Sequence, residues 1–105
     1  MQEIDMPKLL DDFKNEFPDA WQAYGKLKDA CDQGGPLDAK TVELIKIGIS
    51  TAMEREGGVV AHVSQAQKAG ATREEIYQAI LLTTGLAGFP AALAALASAK
   101  DHLEG

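Results

Sequence analysis

Along this chain the apolar residues recur at spacings of three and four, and almost no segment alternates. That period belongs to the α-helix, whereas a half-buried strand needs a period of two. The pattern predicts an all-α protein, a bundle of five or six helices, antiparallel where the connections are short. A first short helix is expected over about Pro7–Glu16, with Leu9, Leu10 and Phe13 on one side. Pro18 suits the first turn of a second helix, and Asp19 suits the positive end of its dipole. Phe17, Trp21, Tyr24, Leu27 and Cys31 follow at helical spacing, which predicts Cys31 as a core residue. The run Gln-Gly-Gly-Pro then ends that helix.

Asp38 is the expected N-cap of a third helix running to about Glu54. Val42, Ile45, Ile49 and Met53 make its main stripe, while Leu44, Ile47 and Ala52 make it apolar on further sides, so it should be central. Glu-Arg-Glu-Gly-Gly reads as the break before a fourth helix, which carries Val59, His62, Val63 and Ala66 and stops near Gly70. Thr72-Arg-Glu-Glu75 is a capping box opening a fifth helix with Ile76, Tyr77, Ile80 and Leu81. Thr-Gly-Leu-Ala-Gly-Phe-Pro interrupts again, and Pro90 fits the first turn of an alanine-rich last helix with Leu93 and Leu96 as knobs.

The 105 residues suffice for one small domain, and no repeat, low-complexity tract or long linker divides residues 1–105. Aromatics are only 6%, and alanine, which contributes little buried area, dominates the second half. A lone copy would have a thin core, so a homo-oligomer sharing apolar faces is expected. A net charge of −6 with no basic stretch argues against nucleic acid and anionic membranes as partners. The single cysteine allows no intrachain disulfide. The opening Met-Gln-Glu-Ile-Asp-Met-Pro-Lys has neither the basic nor the apolar region of a secretory signal, and no apolar run reaches the roughly 20 residues of a membrane span. A cytoplasmic protein is expected.

Few residues offer chemistry. There is no phosphate-binding glycine loop with its lysine, no serine hydrolase elbow and no histidine pair at metal-ligand spacing, so neither a metal nor a cofactor is expected. His102 lies near the end of the chain and reads as a solvated side chain. His62 borders the apolar stripe of its helix, where a histidine is either a satisfied core residue or a general acid/base. The second role needs a partner on the other ring nitrogen. Glu43, Glu54, Glu56, Ser64 and Gln65 are the candidates. Glu43 sits among Leu44, Ile45 and Ile47 and could be partly buried; alternatively it forms an ordinary salt bridge to Lys46 or Lys40. In a simple hairpin Glu43 lies about three turns from the break and His62 about one, so spacing alone does not bring them together.

The motif His-x3-Ala-x3-Gly-Ala-Thr-x-Glu-Glu-Ile from His62 to Ile76, with Glu43-Leu-Ile upstream and Gly88-Phe-Pro downstream, resembles the carboxymuconolactone decarboxylase family, which includes the AhpD-like alkylhydroperoxidases. The resemblance covers about residues 17–100. It implies an AhpD-like helical bundle assembled as a homo-oligomer, commonly a trimer or hexamer. In the redox-active members a Cys-x-x-Cys pair opens the histidine helix and an upstream glutamate completes a proton relay. On this chain the histidine falls on His62, the glutamate on Glu43, and the cysteine positions on Arg55 and Gly58. Peroxide reduction by that route needs a thiolate and a resolving thiol, which glutamate and histidine do not replace. The resemblance therefore favours the lactone decarboxylases, which work without dithiol or cofactor. It implies a lyase- or isomerase-type reaction on a small carboxylated or lactone-like molecule, with His62 and Glu43 catalytic. Arg55 and the amides freed by Gly57 and Gly58 would hold a substrate carboxylate, unless Arg55 simply pairs with Glu54 or Glu56. Two alternatives are an AhpD-like antioxidant using Cys31 or a partner's thiol, and a non-catalytic binding or scaffold protein.

Overall fold

The computed structural model describes residues 4–105, and these fall into two compact units, one ending at Pro36 and the other Leu37–Gly105. Among the described residues every regular element is helical: α1 (Met6–Glu16), α2 (Pro18–Asp32), α3 (Ala39–Ala52), α4 (Glu56–Lys68), α5 (Arg73–Leu81), the four-residue α6 (Thr84–Ala87) and α7 (Phe89–Glu104). None is long and apolar enough to cross a membrane.

The first unit is a pair of helices without a buried residue in either. Asp5 caps α1 by accepting from the amide of Lys8 at 3.0 Å, and Pro18 opens α2. Phe13 meets Phe17 at 5.3 Å between ring centroids, and the Lys14 ammonium lies 4.9 Å from the centre of the Trp21 ring. Cys31, expected in the core, is exposed. The helical spacing of its stripe is real, but Phe17, Tyr24 and Leu27 on that stripe are exposed as well.

The second unit holds the core. Ile47, Val59, Val63, Ala66, Ile76, Ile80, Ala92, Ala95 and Ala99 form one buried cluster drawn from α3, α4, α5 and α7. The α4 stripe is buried as its spacing predicts. The α3 stripe is not: Ile45, Ile49 and Met53 face outward, while Ile47, Ser50 and Thr51 face inward. A helix apolar on several sides leaves the choice of inner face to its neighbours, and α4 selects the side with small residues. Thr51 is buried at no hydrogen-bonding cost because its hydroxyl donates to the Ile47 carbonyl at 2.8 Å. Leu81 and Leu93 likewise turn outward, whereas Leu96 packs against the cluster.

The ends of α3 and α4 decide where His62 lies. α3 stops at Ala52, two residues before the expected limit, in a double turn: the Arg55 amide donates to the Ser50 carbonyl and the Glu54 amide to the Thr51 carbonyl. Glu54 takes the left-handed conformation (φ 55°) that this motif requires. α4 then begins at Glu56, so Gly57 and Gly58 belong to its first turn rather than to the break.

The capping box of α5 is complete. The Glu75 amide donates to the Thr72 hydroxyl at 3.1 Å, and the Thr72 amide donates to Glu75 Oε1 at 2.8 Å. Lys40 Nζ donates to Glu75 Oε2 at 3.0 Å, tying the start of α3 to the start of α5. The Thr72 amide, followed by Lys40, holds the Glu75 carboxyl below its ordinary pKa of 4.5. A carboxyl depressed in the folded state contributes stability above the unfolded value and loses it as pH falls through the folded one. Thermal melts should therefore show a steeper fall in Tm below about pH 4.5 for the wild type than for Glu75→Gln, which keeps the cap but cannot titrate. Equal slopes would mean that this cluster contributes nothing to the acid limb.

Candidate functional site

His62 lies on α4 and Glu43 on α3, and the structure brings them together: Nδ1 is 2.9 Å from Oε1. Glu43 is nine residues before the end of α3 and His62 six residues after the start of α4. At about 1.5 Å per residue the two positions differ by only about 4–5 Å along the hairpin, which the side chains span. Spacing alone does not bring them together because it counts the two glycines as loop and runs α3 two residues too far.

Both groups are shielded, with side-chain exposures of 12% for Glu43 and 25% for His62. A carboxylate only accepts, so Nδ1 donates to it and the neutral ring presents Nε2 as its basic nitrogen. The second oxygen, Oε2, lies 4.0 Å from Lys46 Nζ, one turn along α3. The two readings of Glu43, histidine partner and salt-bridge partner, thus coexist on its two oxygens. Lys40 is committed instead to Glu75. Of the other candidates, Glu56 accepts from the Ser98 hydroxyl at 3.1 Å. His102 is exposed in the last turn of α7.

Arg55 and Gly58 stand at the start of α4. Arg55 precedes α4 and lines a cleft of about 260 Å³ with Ser50, Glu54, Glu56, Ala95 and Ser98; neither Glu43 nor His62 lines it. Two carboxylates therefore share the cleft with the guanidinium. Gly58 marks a close approach of α3 and α4. A Cβ there would stand 2.9 Å from Ser50 Oγ and 3.3 Å from Ser50 Cβ. Sequence spacing gives no sign of this contact, nor of the Ser98–Glu56 bond, because both cross between helices.

The approach at Gly58 has a measurable result. Gly58→Cys is expected to cost about 1–3 kcal/mol through overpacking, although leaving glycine gains helix propensity. Ser50→Gly in the same chain should restore most of that loss in urea denaturation. A Gly58→Cys protein as stable as the wild type would show that Ser50 yields freely.

The fold and the pair define a class: an all-α protein in which a histidine on one helix of an antiparallel hairpin is held by a glutamate on the other. The model of the carboxymuconolactone decarboxylase family matches residues 15–101, and the chain belongs to that family. An apo crystal structure of a carboxymuconolactone decarboxylase family protein from Legionella pneumophila superposes with a TM-score of 0.82 at 29% identity, covering 93% of this chain and 90% of that one. Among curated proteins, an uncharacterised protein of Methanocaldococcus jannaschii is 36% identical over 84 residues, spanning 76% of this chain and 81% of its own. An uncharacterised protein of Cupriavidus necator is 31% identical over 76 residues, spanning 72% and 67%.

Proposed function

We propose that this protein carries out cofactor-free proton-transfer chemistry, of decarboxylase or isomerase type, on a small carboxylated or lactone-like molecule in the cytoplasm. The observation that carries this reading is the 2.9 Å contact between His62 Nδ1 and Glu43. It fixes the ring orientation and directs proton exchange to Nε2, as a general acid/base requires. His62 is the acid/base in this reading, and Glu43 orients it and balances its charge when it is protonated. Arg55 is the cation for a substrate carboxylate. It stands seven residues before His62, about 10 Å along the helix, which sets the span of a molecule touching both. Gly58 supplies only backbone. The same family reading includes assembly as a homo-oligomer, a trimer or hexamer.

A peroxidase mechanism of the dithiol type is not supported, because the chain has one cysteine and it is exposed on α2 in the other unit. The second reading, a non-catalytic binding protein, is favoured by one observation: the Glu43–His62 pair lines neither the cleft beside Arg55 nor the apolar groove between α3 and α5. Turnover of a panel of carboxylated lactones, followed by CO2 release and by proton NMR, separates the two. The acid/base reading expects turnover with at least one compound, and a chemical-shift change at the His62 ring on adding it. Ligand binding that leaves His62 unmoved, with no turnover, gives the chain to the binding reading.

A further inference from the structure

No charged side chain occurs between Glu75 and Lys100, although a quarter of the whole chain is charged. That stretch forms most of α5, all of α6 and most of α7. It turns large apolar groups outward: Leu81, Leu82, Leu86, Phe89 and Leu93 are all exposed. On α3, Ile45 and Ile49 do the same. Between α3 and α5–α6 runs a groove of about 520 Å³, walled by Leu44, Ile45, Ile49, Leu82 and Leu86 with Gly48 in its lining. The only charged residue in the lining is Glu75, and Lys40 is bonded to it.

We propose that this uncharged groove is the surface by which two copies of the chain pair, each supplying a knob to the other's groove. Three observations select a second copy as the occupant. The first is area. Ile45, Ile49, Leu82 and Leu86 wall one groove and are 46%, 53%, 68% and 92% exposed. Together they present several hundred Å² of apolar surface, the upper end of what a monomer leaves in one patch. This is a large part of the ~800 Å² each partner gives a specific interface. The second is charge. Two chains of net charge −6 repel, and the penalty of contact is least on a face that brings few charges close together, as this one does. An anionic membrane would instead require a basic rim, which the groove lacks. The third is shape. Leu86 projects from α6 beside the groove it helps to wall, so one face carries both a protrusion and a recess. A face with both features can pair with its own copy about a twofold axis.

The proposal rests on the homo-oligomer reading for the existence of an assembly, and adds the face that makes it. Its test is the solution mass of the whole chain by light scattering across a wide dilution range, for the wild type, Leu86→Asp and Ile49→Asp. Leu86 is almost wholly exposed, so its variant keeps the fold, which far-UV circular dichroism checks. Pairing of this kind selects the hexamer over the trimer, so the wild type is expected at an even multiple of 11.2 kDa, and each variant at half that mass or less. A wild type that is monomeric throughout overturns assembly itself; if that monomer floats with phosphatidylcholine vesicles, the face belongs to lipid. An assembled wild type whose mass neither variant changes leaves the oligomer reading standing and overturns this face.

Discussion

Replacing Ile76 with alanine is expected to remove about 2–5 kcal/mol from the Leu37–Gly105 unit. Ile47, Ile76 and Ile80 are the largest fully buried side chains in the chain, and most of the remaining core is valine and alanine. Alanine cores bury little area per residue, so three isoleucines carry a disproportionate share of the hydrophobic stabilisation. A unit of this size has roughly 3–10 kcal/mol in total. Loss of one isoleucine should thus shift the urea midpoint by about a fifth or more, with an unchanged m value. A loss below about 1 kcal/mol would mean that the cavity collapses or that the four helices do not pack around this residue.

The second large effect concerns Glu43. Glu43→Gln should lower turnover by about 100-fold or more, and His62→Gln by a similar factor. The amide of glutamine keeps the volume and a hydrogen bond, so stability should fall by only about 1 kcal/mol. What it loses is the charge, and with it the certainty that Nδ1 donates: the amide NH2 can face the ring and invert its tautomer. Because the two residues act as a unit, the double variant should be no slower than the worse single one. If Glu43→Gln destabilises the protein but leaves turnover intact, the pair is a tie between α3 and α4 and nothing more.

Much of this was legible from local chemistry. Asp38 and Thr72 announce the starts of α3 and α5 because a cap needs only its own first turn. Val59, Val63 and Ala66 announce the inner face of α4 because that helix has one apolar side. What stayed hidden depends on neighbours. α3 is apolar on several sides, and only the close approach of α4 shows that Ser50 and Thr51, rather than Ile49 and Met53, turn inward. Cys31 has core spacing and no core to enter. The Glu43–His62 contact was suggested by residue type and by the family motif, but its geometry depended on a hairpin turn placed by Glu54, which no periodicity marks.

The contact of Ser50 with Gly58 also bears on how such a protein changes over generations. The two positions are not independent characters. A side chain gained at position 58 is resisted while serine stands at position 50, and prior loss of the serine side chain relieves that clash. The order of substitution is therefore constrained by a single van der Waals contact, and chemistry at the start of α4 is gained or lost through a residue that takes no part in it.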